Sequence, residues 1–110
     1  MTVKDLAEKL NLKLLAGEGG VDNKVLTCYI GDLLSWVMGR AQEGSVWLTV
    51  MGNLNAIAVA SLTDSACIIL TENAPLDEDA KARADMQDIP VYITEEPAYS
   101  VAIKIYELLK

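Results

Sequence analysis

The chain has 110 residues, of which 52% are hydrophobic and 23% are charged, and this composition predicts one folded domain spanning residues 1–110 rather than a disordered segment. The formal net charge of -7 argues against nucleic acid and anionic membrane surfaces as partners, and the absence of histidine removes the commonest general base and zinc ligand. No apolar run approaches the ~18 residues of a membrane span, and residues 1–5 lead directly into an amphipathic pattern without a signal peptide, so we expect a cytoplasmic protein.

The first predicted elements are a short helix and a short strand. Thr2 and Asp5 have the spacing of a capping pair, and apolar residues within Val3–Leu10 recur at helical spacing. Lys13–Ala16 is predicted to be a strand. The glycine-rich turn after it, residues 17–20, lacks both the lysine and the spacing of a phosphate loop, so we interpret it as a connection between short strands.

The rest of the chain repeats a strand followed by a helix four times. The predicted strands are residues 25–30, 46–50, 66–70 and 91–94, and the following helices begin after Asp32, after Asn53, at Pro75 and at Pro97. Units about 20 residues long with continuous apolar strands predict parallel strands joined by right-handed crossovers, with helices on both faces of the sheet. The expected fold is therefore an α/β three-layer sandwich with a mostly parallel sheet, preceded by an N-terminal helix and a short strand.

Candidate ligand residues follow the predicted strands, because ligands of open parallel sheets bind beyond the carboxyl ends of the strands. The candidates in these turns are Asp32, Thr49, Gly52, Asn53 and Thr71. Asp32 either caps the next helix or contacts a ligand. Asn53 has the same two interpretations, since with Gly52 it forms a turn whose N–H groups suit an anion. The Thr71 hydroxyl either satisfies a turn or contacts a ligand.

Catalytic motifs are absent from the sequence. There is no Gly-x-Ser-x-Gly elbow, no P-loop and no Gly-x-Gly-x-x-Gly. The acidic groups at residues 77–79 and 95–96 are explained most simply as favourable charges at helix starts. A divalent ion held by Asp32, Glu72 and Glu95 is the alternative. We expect no cofactor, no metal and no catalytic residue.

The cysteines and tryptophans give further expectations. Cys28 and Cys67 each lie in an apolar strand and are expected to be buried free thiols rather than a disulfide or a metal pair. Trp36 lies about 100° from the apolar stripe of its helix, so it is either an exposed surface for a partner or is buried at an edge under a neighbouring loop. Trp47 alternates within a buried strand and is expected to be structural.

A series of landmarks runs from Tyr29 to Leu109. They are Gly31-Asp32 before an apolar helix, the turn at residues 51–53 before an Ala-rich helix, the apolar strand that ends at Thr71, the Ile89-Pro90-Val91 strand start, and the helix start Ala98-Tyr99-Ser100. In this order they resemble the DRTGG domain family. Glu72-Asn73 stand where the family motif has two glycines, and Asn53-Leu54 stand where it has an acidic residue and an arginine.

The resemblance implies a regulatory module with the fold of the N-terminal domain of HPr kinase/phosphorylase, which carries no catalytic residues. Such domains occur in nucleotide-regulated pyrophosphatases and at the front of some phosphate acetyltransferases. The resemblance further implies a homodimer that binds a small nucleotide, with Tyr99 added to the candidate ligand residues. We therefore expect a stand-alone, non-enzymatic regulatory or interaction module. The alternatives are a structural partner subunit that docks through Trp36 without a ligand and, less favoured, a metal-dependent enzyme.

Overall fold

A computed structural model describes residues 1–110, which form five helices and five strands. The helices are α1 (Val3–Leu10), α2 (Leu34–Arg40), α3 (Leu54–Leu62), α4 (Glu78–Gln87) and α5 (Ala98–Leu109). The strands are β1 (Lys13–Ala16), β2 (Thr27–Ile30), β3 (Ser45–Thr49), β4 (Cys67–Leu70) and β5 (Val91–Ile93). None of the helices has the length and apolar character that crossing a membrane requires.

The strands form a single five-stranded sheet in the order β1-β5-β4-β3-β2. Strands β2 to β5 are parallel neighbours, and β1 pairs antiparallel with β5. The mostly parallel sheet and the preceding helix and strand are therefore confirmed. The first two strands in the sequence, β1 and β2, lie at opposite edges of the sheet, so the glycine-rich turn after β1 does not connect neighbouring strands.

Helices cover both faces of the sheet, which confirms the three-layer architecture. Along β3, Trp47 faces the core under α2, α3 and α4, whereas Val46 and Leu48 face the core under α1 and α5. This alternation follows from the two-residue period of a strand. Because both faces are buried, all five residues of β3 are shielded from solvent.

Local signals determine several helix ends. Thr2 and Asp5 form a reciprocal capping box, in which Asp5 N donates to Thr2 Oγ1 at 3.2 Å and Thr2 N donates to Asp5 Oδ2 at 3.0 Å.

Helix α4 begins at Glu78 rather than at Pro75. The segment before α4 is held in place by a tertiary contact, since Asp77 N donates to the Gly52 carbonyl at 2.8 Å.

Both cysteines are free thiols, as expected. The register pairs Cys28 with Val46 and Val46 with Cys67, so a whole strand separates the two thiols. Two strand spacings amount to about 10 Å, beyond the ~7 Å between Cα atoms that a disulfide tolerates. Cys67 is fully buried, whereas Cys28 is only partly buried, and burial raises the pKa of Cys28 to about 11.

Candidate functional site

The carboxyl ends of β2, β3, β4 and β5 lie together at one end of the sheet. The candidate ligand residues lie at these strand ends, in the turns after them and, for Tyr99, in the first turn of α5. The turns after β4 and β5 are joined by backbone hydrogen bonds. Glu72 N donates to the Glu96 carbonyl at 3.0 Å, and Asn73 N donates to the Thr94 carbonyl at 2.8 Å. The turns after β4 and β5 therefore form one connected surface.

Asp32 joins the turn after β2 to the turn after β3. Its Oδ1 accepts hydrogen bonds from Thr49 Oγ1 at 2.7 Å and from Val50 N at 3.0 Å, and Thr49 Oγ1 in turn accepts from Met51 N at 3.2 Å. The predicted capping role of Asp32 is wrong, because α2 has Leu33 at its N-cap and no side-chain cap. The second carboxylate oxygen, Oδ2, accepts no hydrogen bond within the protein.

Gly52 and Asn53 have structural contacts in the next turn. Asn53 Oδ1 accepts from Ala56 N at 2.9 Å, which confirms its capping interpretation. A Cβ built on Gly52 would overlap the carbonyl oxygen of Pro75, so only glycine allows the loop before α4 to approach this closely.

Thr71 and Tyr99 lie on the opposite side of the sheet from the Asp32–Thr49 pair. Thr71 continues the alternation of Cys67 and Ile69, which face the core under α5. Thr71 is 2% exposed, and its hydroxyl makes no hydrogen bond within the protein. Tyr99 lies in the first turn of α5 with 76% of its surface exposed. The six candidates are thus divided between the two faces of the sheet.

The turn after Thr71 has left-handed backbone at two consecutive residues. Glu72 has φ 55° and Asn73 has φ 58°, a conformation that glycine adopts without strain. Their amides already donate to the turn after β5, so neither amide is free to bind an anion.

Glu72→Gly is expected to stabilise the fold by about 0.5–1 kcal/mol, because left-handed backbone costs an L-residue about 1–2 kcal/mol and the larger unfolded-state entropy of glycine offsets part of the gain. Thermal unfolding should show a Tm higher by about 2–5 °C. The control Glu78→Gly, in the first turn of α4, should lower the Tm. A Tm for Glu72→Gly at or below that of the wild type would contradict the strain argument.

The start of α5 provides free backbone donors. The first hydrogen bond into this helix runs from Val101 N to the Pro97 carbonyl at 3.3 Å, and no side chain caps the helix. The amides of residues 98–100 therefore lack partners at the positive end of the helix dipole. Glu96, just before the helix, is paired with Lys104 Nζ at 2.8 and 2.9 Å from its two carboxylate oxygens.

The structure does not gather three acidic or cysteine side chains, Asp32, Glu72 and Glu95 included, into an arrangement that would hold a metal ion.

A cavity of about 510 Å³ at this end of the sheet was missed by the sequence analysis. It lies between the start of β1 and the turns after β4 and β5, and its polar lining includes Lys13, Asn73 and Glu95. Lys13 reaches this position because β1 pairs with β5, where Lys13 is opposite Ile93. No local pattern predicts such a long-range pairing. None of the six candidate ligand residues lines any of the five cavities.

The two tryptophans have opposite environments. Trp36 is 56% exposed, and the Arg40 guanidinium lies 3.9 Å from the centroid of its ring, so the ring is exposed rather than buried at an edge. That a partner binds this ring stays a prediction. Trp47 is completely buried, and its Nε1 donates to the Gly31 carbonyl at 2.9 Å, which confirms its structural role.

Comparison with known proteins gives a family and a fold. The family model described as "DRTGG domain" matches residues 5–108. A search of curated proteins finds no match. A similar solved structure is the crystal structure of the CBS and DRTGG domains of the regulatory region of Clostridium perfringens pyrophosphatase, complexed with the activator diadenosine tetraphosphate, with a TM-score of 0.66 and 10% sequence identity. The match covers 93% of this chain but 44% of that chain, so this chain spans less than half the length of that neighbour.

Proposed function

The chain belongs to the DRTGG domain family, and from this premise we propose that it is a non-enzymatic regulatory module that senses a small nucleotide at the carboxyl ends of its strands. The observation that carries the proposal is the likeness, over 93% of the chain, to a regulatory region whose structure holds a nucleotide activator. We propose in addition that the module acts as a homodimer and needs no cofactor.

The start of α5 supplies features that suit a nucleotide. The free amides of residues 98–100 can receive a phosphate, which helix N-termini bind through their N–H groups and dipole. The exposed Tyr99 ring offers a surface on which a base stacks. The Thr71 hydroxyl lies on the same side of the sheet, and the bond from Glu72 N to the Glu96 carbonyl ties its turn to the start of α5.

The other candidates form the second side of the proposed site. The free Oδ2 of Asp32 suits a sugar hydroxyl, as a carboxylate does in other nucleotide-binding α/β folds. Thr49 orients Asp32, while Gly52 and Asn53 shape the neighbouring turn. Because Glu72 and the acidic residues before α5 repel phosphates, we expect the nucleotide to bind more tightly as its Mg²⁺ complex.

A thermal-shift series tests the proposal. We expect the Tm of the purified protein to rise by several degrees with one class among AMP, ADP, ATP, GTP and diadenosine tetraphosphate, because a ligand at 100 times its Kd stabilises the native state by about 2.7 kcal/mol. Tyr99→Ala and Thr71→Val should each remove most of this shift. Met86→Ala, at another exposed side chain, is the control and should retain the shift.

Two results would count against this proposal. If the wild type gives the same Tm with every nucleotide, with and without Mg²⁺, nucleotide sensing is wrong. If a nucleotide raises the Tm but Tyr99→Ala and Thr71→Val respond like the wild type, the ligand binds elsewhere on the domain.

The second candidate function is that of a structural partner subunit without a ligand. The observation in its favour is the exposed Trp36 ring, over which the Arg40 guanidinium lies. Aromatic and arginine side chains are enriched where proteins bind one another. This candidate predicts no nucleotide shift and a protein partner in pull-downs that Trp36→Ala loses. Retention of that partner by Trp36→Ala would exclude docking through this side chain.

A further inference from the structure

The two edges of the sheet are built differently. Edge strand β1 carries the charged Lys13 and a register shift between Leu14 and Ala16. Edge strand β2, with the sequence Thr-Cys-Tyr-Ile, has no charged residue, no proline and no irregularity in its pairing with β3. Charges and bulges are devices by which proteins prevent edge strands from pairing with other chains. The β2 edge lacks these devices.

The backbone groups on the open side of β2 can be identified from its pairing with β3. Thr27 N donates to the Gly44 carbonyl at 3.4 Å and Gly31 N donates to the Leu48 carbonyl at 3.2 Å, so odd-numbered residues direct their backbone towards β3. In a parallel ladder, successive residues direct their N–H and C=O groups to opposite sides. The N–H and C=O groups of Cys28 and Ile30 therefore face the open edge.

An apolar groove of about 390 Å³ runs beside this edge, between β2 and α5. Its exposed apolar residues include Leu26, Ile30 and Tyr106, which are 63%, 52% and 65% exposed. Although the chain has 16 acidic residues, none lines the groove, and Lys110 is its one charged residue. This surface combines unpaired strand hydrogen-bonding groups with exposed apolar side chains.

We propose that two copies of the chain pair their β2 strands antiparallel across a twofold axis at Tyr29 and so join their sheets. This inference rests on the homodimer of the proposed function and names the surface that forms it. With Tyr29 opposite Tyr29 of the second copy, Cys28 lies opposite Ile30. Each such pair exchanges both of its N–H···O=C bonds. All the backbone groups that face the open edge are thereby satisfied.

A second copy fits this edge better than an unrelated strand because the edge is self-complementary. A twofold interface requires that a residue contact its counterpart reciprocally, and the free groups of Cys28 and Ile30 are placed symmetrically about Tyr29. Two copies that each carry a net charge of -7 repel one another in general. The absence of acidic residues from the groove keeps that repulsion away from the contact.

Light scattering and sedimentation of Ile30→Lys test the surface. The wild type should be a dimer, and Ile30→Lys should raise the dimer dissociation constant by at least about 100-fold, since pairing would bury an unpartnered ammonium group. Ile30 is half-exposed, so the monomer should keep its fold, which circular dichroism can verify. The control Leu62→Lys changes an apolar side chain of α3 that is 72% exposed, and it should remain a dimer.

A cross-linking variant tests the register and does not depend on the behaviour of Ile30→Lys. Ile30→Cys places its thiol opposite Cys28 of the second copy, at the ~5.5 Å between Cα atoms of a hydrogen-bonded antiparallel pair, which suits a disulfide. Oxidised glutathione accepts the electrons and protons of the two thiols. Non-reducing gels should show a covalent dimer. The double variant Ile30→Cys with Cys28→Ser should give none.

The outcomes separate this inference from the proposals on which it rests. A wild type that is monomeric at the highest concentration reached overturns the homodimer and this surface together, while the nucleotide shift stays measurable on its own. A dimeric wild type with a dimeric Ile30→Lys and no Ile30→Cys cross-link overturns this surface alone. If Ile30→Lys does not fold, the Ile30→Cys cross-link decides.

Discussion

Gly17→Ala is expected to destabilise the protein by at least about 4 kcal/mol, a large fraction of the total stability of a domain this size. Gly17 has φ 77°, which L-residues rarely adopt. A Cβ at this position would overlap the carbonyl oxygen of Ile89 and lie 2.6 Å from Pro90 N. Both are backbone atoms, and the Pro90 carbonyl accepts from Ile68 N at 2.9 Å, so this segment cannot move without disturbing β4 and β5.

The turn at Gly17 is also held from its other side. Gly17 N donates to Asp85 Oδ1 at 2.8 Å, and this hydrogen bond lowers the pKa of the Asp85 carboxyl. The turn thus lies between α4 and the segment that leads into β5, which leaves no direction in which an added methyl group is accommodated.

Gly39→Ala is the matched control for Gly17→Ala. Gly39 lies within α2, and a Cβ there would meet no atom within 4 Å. This variant should be more stable than the wild type by about 0.5–1 kcal/mol, since alanine favours the helix. Urea unfolding followed by circular dichroism measures both variants. A Gly17→Ala protein as stable as Gly39→Ala would show that the turn tolerates another conformation.

Trp47→Ala is the second change with a large expected effect, because we expect it to lower the free energy of unfolding by about 3–5 kcal/mol. Trp47 is completely buried in the core under α2, α3 and α4, and the cavity left by its ring would lie between β3 and these helices. The Gly31 carbonyl would also lose the indole N–H that donates to it at 2.9 Å. Trp47→Phe removes this hydrogen bond but leaves a smaller cavity. Its free energy of unfolding should therefore lie between those of the wild type and Trp47→Ala.

The other tryptophan is the natural control. Trp36→Ala removes a ring that is 56% exposed and should change the free energy of unfolding by less than about 1 kcal/mol. Urea unfolding of both variants should be followed by circular dichroism. Tryptophan fluorescence is unsuitable, because each variant lacks one of the two tryptophans that produce the signal. If Trp47→Ala and Trp36→Ala lowered the free energy of unfolding equally, the assignment of Trp47 to the core and Trp36 to the surface would be contradicted.

The candidate site was predictable where local rules act. Asn53 caps α3, as its position before an apolar helix indicates, because a capping oxygen needs only the amides of the next turn. Asp32 has the same local signal, yet it bonds Thr49 and Val50 across the sheet end. The donors to its carboxylate come from residues distant in the chain and not from the next helix, and no local pattern reports such a long-range partner.

The sequence by itself determined the fold class. The strand and helix pattern of residues 24–110 requires parallel strands, and continuous apolar strands require cover on both faces. The capping signals at Thr2 and Asn53 are likewise local, so they could be predicted before any contact was known.

Only the tertiary structure decided how the surfaces are arranged. The pairing of β1 with β5 brings Lys13 to the strand ends and leaves β2 as the open edge. The alternation of β4 separates Thr71 from the Asp32–Thr49 pair across the sheet. Strand order depends on hydrogen bonds between segments far apart in sequence. Periodicity shows which side chains share a face, and it carries no information about which strand lies beside another.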